Sequence, residues 1–73
     1  MLSHQSDLYI ARGLIYKSMH EFIFAEEDFT KAIRLNPQSG MAYLHRGNLR
    51  KNNLNDKTGA KSDHKKLKKI INR

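Results

Sequence analysis

Apolar residues recur at three- and four-residue spacing along much of the chain, the pattern of amphipathic helices. The clearest stripe lies within residues 21–36 and comprises Phe22, Ala25, Phe29, Ala32 and Ile33. A second stripe precedes it and comprises Tyr9, Gly13 and Tyr16. Two successive stripes separated by a short polar stretch predict a pair of helices that pack face to face.

The same arrangement then returns in the second half of the chain. Tyr-Ile-Ala-Arg-Gly at 9–13 recurs as Tyr-Leu-His-Arg-Gly at 43–47, an offset of 34 residues. Three later residues recur at an offset of 35, namely Ala25, Asp28 and Lys31 as Ala60, Asp63 and Lys66. The additional residue lies in the polar stretch 51–56, which has the composition of a turn. An insertion in a turn leaves the packed faces unrotated, so the offsets predict a helix–turn–helix unit used twice.

These signals predict an all-α fold of four antiparallel helices, over about 6–18, 21–36, 40–53 and 56–71. Asn36-Pro37 ends the second helix, because proline disfavours helical geometry in the residue before it and has no N–H to donate. We expect one domain over 1–73, with repeat one at about 6–39 and repeat two at about 40–73.

The first unit resembles a tetratricopeptide repeat, a helix–turn–helix element of α-solenoids. Seven positions have that family's residue types at its spacing: Tyr9, Gly13, Tyr16, Ala25, Phe29, Ala32 and Pro37. In such a unit Gly13 and Ala25 allow the helices to approach closely, while Phe29 and Ala32 fill the space between them. The second unit is degenerate. It keeps Tyr43, Gly47 and Ala60, whereas Arg50, His64 and Leu67 replace an aromatic, an aromatic and an alanine.

Arginine and aspartate also recur on partner helices, as Arg12 with Asp28 and Arg46 with Asp63. Because both members repeat, we favour an ion pair within each unit over four independently solvated charges. The neighbouring run Glu26-Glu27-Asp28 is interpreted as a solvated acidic face, since no base or nucleophile accompanies it.

Charge is distributed unevenly. Residues 1–37 carry four basic and five acidic side chains, for a net −1, while residues 38–73 carry ten basic and two acidic ones, for a net +8. Most of the excess lies near the end of the chain, in Lys57, Lys61, Lys65, Lys66, Lys68, Lys69 and Arg73. We favour a polar capping helix, which repeat arrays need at their ends, over a surface that binds nucleic acid or an acidic partner. Ala60, Leu67, Ile70 and Ile71 remain for packing.

Nothing in the sequence indicates catalysis, a cofactor or a metal. The chain has no cysteine, and its four histidines are scattered. The start of the chain lacks the features of a secretory signal, and no apolar stretch approaches the roughly 20 residues that span a bilayer. We therefore expect a non-enzymatic, cytoplasmic protein without membrane contact.

The resemblance implies a protein-interaction module in which the first helix of each unit lines a concave groove for a peptide or a partner helix. Helical spacing assigns to the groove Asp7, Ile10, Leu14 and Lys17 from the first unit and Leu44, Asn48 and Lys51 from the second. Its ligand would have apolar anchors and some negative charge. Some relatives clamp a terminal carboxylate with lysine and asparagine, but Ile10 and Leu14 occupy those places here, so no clamp is expected.

Two alternatives to the groove stay open. Surplus apolar residues predict self-association as a homodimer, through a surface around Leu8, Ile15, Ile23 and Phe24. Electrostatic binding of nucleic acid or an acidic partner by the lysine-rich helix ranks third, because no aromatic lies among the lysines to stack on bases.

Overall fold

The computed structural model describes residues 4–72. Their secondary structure consists of four helices: α1 (His4–Ser18), α2 (Phe22–Leu35), α3 (Gly40–Asn52) and α4 (Lys57–Ile71). Links of three or four residues join successive helices, which makes neighbours antiparallel. The predicted all-α fold and its helix bounds are confirmed to within two residues.

Local chemistry sets the helix ends. The backbone of Asn36 is extended and ends α2, as the following proline predicts. Ser39 Oγ accepts a hydrogen bond from Ala42 N at 3.2 Å and caps α3. Asp56 Oδ1 accepts one from Gly59 N at 2.9 Å and caps α4. Asn55 adopts a left-handed conformation with φ 53°, which asparagine tolerates better than most residues and which reverses the chain before α4.

The four helices form two hairpins that stack on each other. α1 packs on α2, α3 packs on α4, and α2 joins the hairpins by packing on α3. One buried cluster spans three helices and comprises Ile10, Ala25, Phe29, Ala32, Ala42 and Leu49. The core is therefore concentrated around α2, which contributes three of the six residues of the cluster.

α4 is attached mainly by small and medium-sized side chains. Ala60 is buried, and Leu67 and Ile70 are half-buried beside Gly40. Ile71, expected to pack, is instead exposed at the end of the helix. All six lysines of the predicted basic helix are exposed, while Arg73 lies outside the described residues. α4 is therefore covered on one side, by α3, and presents its lysines to solvent on the other.

Candidate partner-binding groove

Each hairpin is closed by a glycine on its first helix facing an aromatic ring on its second. A Cβ on Gly13 would lie 2.6 Å from Phe29 Cε1, and one on Gly47 would lie 2.7 Å from the ring of His64. The predicted close approach at Gly13 is therefore confirmed. His64 fills the aromatic position of the second unit, and its Nε2 lies 3.3 Å from Asn48 Oδ1.

The other repeat positions lie around this contact. Ala25, Phe29 and Ala32 are fully buried and Ala60 almost so. Tyr9 and Tyr16 pack partly buried against the core cluster. Tyr43 is half-buried, and Pro37 is exposed in the link between the hairpins.

Both predicted ion pairs are present. Arg12 donates from Nε and Nη2 to the two carboxylate oxygens of Asp28, each at 2.8 Å. Arg46 makes the same two-point contact with Asp63, at 2.9 and 2.7 Å. Asp28 and Asp63 are both buried, so each pair holds an otherwise costly carboxylate inside its hairpin. The expectation that Asp28 belongs to a solvated acidic face is wrong, because its neighbour across the hairpin is a guanidinium.

Sequence reasoning missed a third arginine. Arg50 donates from Nε to Glu26 Oε2 at 2.7 Å and from Nη1 to Asp63 Oδ2 at 3.1 Å, so it links the two hairpins. Glu26 is thus half-buried in an ion pair instead of being solvated. The sequence did contain a signal for this contact. Arg50 replaces the aromatic residue that the first unit has at Tyr16, and the preceding helix carries an acidic run with which an arginine could pair.

The ion pairs of Arg12 and Arg50 raise the pKa of these two side chains. The hydrogen bond to Asp28, together with its charge, raises the pKa of Arg12. Burial alone would lower the pKa of Arg50, but the hydrogen bond to Glu26 and the charges of nearby acids raise it. His45 behaves in the opposite way. Burial first, and the charge of Lys17 second, lower its pKa from the ordinary 6.5. Its ring stacks on Phe29 with centroids 5.8 Å apart.

The seven groove residues have different environments. Four are at least partly accessible on α1 and α3, which contact each other: Leu14, Lys17, Leu44 and Asn48. Asp7 is exposed. Ile10 is only 8% exposed and belongs to the core cluster, so it offers a ligand little surface. Asn48 already contacts His64 through its amide oxygen.

Lys51 lies at the far end of this series, beside α4. It lines a concavity with Lys57, Thr58, Ala60, Lys61 and His64. Three lysine ammonium groups around one depression favour a negatively charged occupant.

The apolar side chains proposed for self-association are exposed. Leu8, Ile15, Ile23 and Phe24 each expose half or more of their surface. Phe24 also packs its ring against Tyr16, with centroids 5.4 Å apart. Exposed apolar surface of this kind commonly marks an interface.

Neither a membrane span nor a metal site is evident in the part of the chain that the structure describes. The longest helices there have 15 residues and are too short and too polar to cross a bilayer. Within residues 4–72, no three His, Cys, Asp or Glu side chains lie together as potential metal ligands.

Comparison with known proteins agrees with the repeat geometry. The model of the tetratricopeptide repeat family matches residues 6–39, which cover most of α1, all of α2 and the link to α3. No significant match to the chain was found among curated proteins or among solved structures. Residues 6–39 therefore match the tetratricopeptide repeat family, and the four-helix structure is consistent with a second repeat in the rest of the chain.

Proposed function

We propose that this chain is a non-enzymatic protein-interaction module that holds a partner segment across α1 and α3. The observation that carries the proposal is the combination of exposed surfaces on these two adjacent helices. Leu14 and Leu44 offer apolar contact, and Lys17 and Lys51 offer positive charge. The match of residues 6–39 to the tetratricopeptide repeat family supports the general role, since these repeats bind protein partners.

The ligand that fits this surface has apolar side chains and at least one carboxylate. It is either an extended segment or one face of an amphipathic helix. Because Ile10 lies in the core, Leu14 becomes the main apolar contact on α1. Lys51 and the lysines beside it would attract an acidic end of the ligand toward α4.

The test begins with a partner identified by pull-down and mass spectrometry. Leu14→Glu should abolish binding, because it places a charge in the apolar contact. Leu35→Glu is the matched control: Leu35 is 42% exposed, close to the 37% of Leu14, but lies on α2. If Leu14→Glu remains folded and binds like the parent, the groove is not the site.

Charge gives an independent arm of the same test. Lys51→Glu should weaken binding more at low salt than at high salt, because salt screens exposed charges. Lys31→Glu makes the same charge change on α2, where Lys31 lies over the ring of Tyr9 and is not part of the proposed groove, and should have little effect. Equal effects from both variants would indicate attraction by net charge alone.

Self-association is the second candidate, supported by the exposure of Leu8, Ile15, Ile23 and Phe24. Sedimentation at micromolar concentration distinguishes the two uses of the chain. A dimer mass that returns to monomer in Phe24→Glu would support self-association. Monomer mass throughout would leave the apolar surface to a different partner.

A further inference from the structure

Comparison of the two repeats identifies a face of α1 that is exposed although the equivalent face of α3 is buried. Ala42 and Leu49 on α3 are completely buried, in a cluster shared with Ala25, Phe29 and Ala32 of α2. Their counterparts 34 residues earlier are Leu8 and Ile15, which are 67% and 58% exposed. In the described residues α3 packs on α1, α2 and α4, whereas α1 packs on α2 and α3 alone. The outer face of α1, defined here as Leu8, Arg12 and Ile15, is the face that α2 covers in the second unit.

The arginine–aspartate pair at this outer face also recurs in the second unit. Arg46 binds Asp63 through Nε and Nη2, and its Nη1 donates to Thr30 on α2 at 3.1 Å. Arg12 binds Asp28 through the same two nitrogens. The side chain of Arg12 is 53% exposed, against 13% for Arg46. The Nη1 of Arg12 is therefore equivalent to the Nη1 of Arg46, which donates to the hydroxyl of Thr30 on the helix that covers α3.

We propose that the outer face of α1 is a second binding site, which takes an amphipathic helix of a partner protein. α2 indicates the chemistry of that helix. Along α2, Glu26 meets Arg50 and, four residues later, Thr30 meets Arg46, so the covering helix runs antiparallel to the one it covers. In the first unit the place of Arg50 is taken by Tyr16. The partner helix thus has an apolar residue facing Tyr16 and Ile15, and a hydroxyl or carboxylate one turn later that accepts from Arg12.

A second copy of this chain does not supply such a helix. α4 is the counterpart of α2, but it has Lys61 and Lys65 where α2 has Glu26 and Thr30. Stacking of α4 on the outer face of another copy would place Lys65 against Arg12. Two-fold pairing of the α1 helices would bring an arginine from each copy into one interface. Both arrangements juxtapose like charges, which is how proteins commonly exclude the wrong partner.

The test uses the full chain and a synthetic probe whose fit to such a face is known. The probe is an acetylated, amidated and fluorescently labelled peptide of residues 21–36, the sequence of α2, with Glu26→Leu so that an apolar side chain faces Tyr16. We expect saturable binding by anisotropy. Binding should weaken at least tenfold in a peptide with Thr30→Lys, which removes the acceptor and adds the charge found in α4. Equal affinity of the two peptides, or no saturable binding of either, would overturn the proposal.

Variants of the chain locate the peptide. Leu8→Glu and Ile15→Glu should each weaken binding at least tenfold, while Leu35→Glu should not. The peptide could instead displace the chain's own α2, whose sequence it shares except at residue 26. Leu8 and Ile15 are exposed and lie away from the face of α1 that packs on α2, so a loss of affinity in these variants would exclude that displacement. The groove test rests on Leu14 and Lys51, so the two proposals fail separately. A dimer of the unliganded chain that dissociates in Ile15→Glu would assign the face to a second copy and overturn the inference.

Discussion

The guanidinium of Arg50 on α3 lies against the carboxylate of Glu26 on α2, with Nε 2.7 Å from Oε2. The two side chains are only 20% and 26% exposed, and the same guanidinium reaches Asp63 on α4. One side chain therefore connects the first hairpin to both helices of the second. This polar contact lies at the junction where Ala42 and Leu49 of α3 share the core with α2, and it adds to that core in holding the relative position of the hairpins.

The junction should lose stability when either partner of that contact is removed. In a double-mutant cycle with Arg50→Met and Glu26→Gln, we expect a favourable coupling of about 1 kcal/mol in the free energy of unfolding. Glu27→Gln, next to Glu26 but exposed, is the control and should change stability little. Zero coupling would mean that the two charges contribute independently and that apolar contacts alone join the hairpins.

The two Arg–Asp pairs should differ in strength. Asp63 accepts bonds from Arg46 and Arg50, whereas Asp28 accepts them from Arg12, which is half exposed. Asp63→Ala should therefore lower the free energy of unfolding by about 3 kcal/mol, because it removes the buried carboxylate to which both Arg46 and Arg50 donate. Asp28→Ala should cost less, since water can solvate Arg12. Urea denaturation of both variants provides the comparison, and the reverse order would contradict it.

The contact between Gly13 and Phe29 leaves no room for a side chain. Gly13→Leu should destabilise the chain by about 1–3 kcal/mol through overpacking of the first hairpin. Ala11→Leu makes a similar addition on an exposed position of the same helix and should be nearly neutral. Thermal melts monitored by circular dichroism measure both. A Gly13→Leu protein that melts with the parent would mean that α1 and α2 do not meet at this glycine.

Stability should decrease on the acid side because of His45. Burial, and secondarily Lys17, lower the pKa of this histidine in the folded chain below its ordinary value of 6.5. Below pH 6.5 the unfolded chain binds a proton that the folded protein takes up only at lower pH. The His45 contribution is therefore constant above this pH and is lost as the pH falls through 6.5 toward the folded-state value.

Comparison of His45→Phe with the parent isolates that effect. Phenylalanine can keep the ring contact with Phe29 but cannot bind a proton. The variant should lose less stability than the parent between about pH 7.5 and pH 5, because it lacks the histidine whose pKa is lowered by burial in the folded chain. Parallel curves would assign the acid sensitivity to other groups of the chain.

The 34-residue recurrence was sufficient to predict the helices, their order and the glycine contact. Each of these depends on residues within one hairpin, where spacing along a helix determines which side chains face the neighbour. Recurrence also identified the Arg12–Asp28 and Arg46–Asp63 pairs, because the same two residue types return together. Proline after Asn36 marked the end of α2 without any tertiary information.

Contacts between the hairpins were decided by the tertiary structure. Glu26 and Arg50 are 24 residues apart, and no local pattern links them. Ile10 and Leu14 belong to one predicted groove face, yet stacking of α3 on α2 buries Ile10 in the shared core and leaves Leu14 accessible. The sequence by itself determined which residues line each helix face. Which faces are covered depends on how the second hairpin stacks on the first, and that stacking leaves Leu8 and Ile15 exposed while it buries their counterparts Ala42 and Leu49.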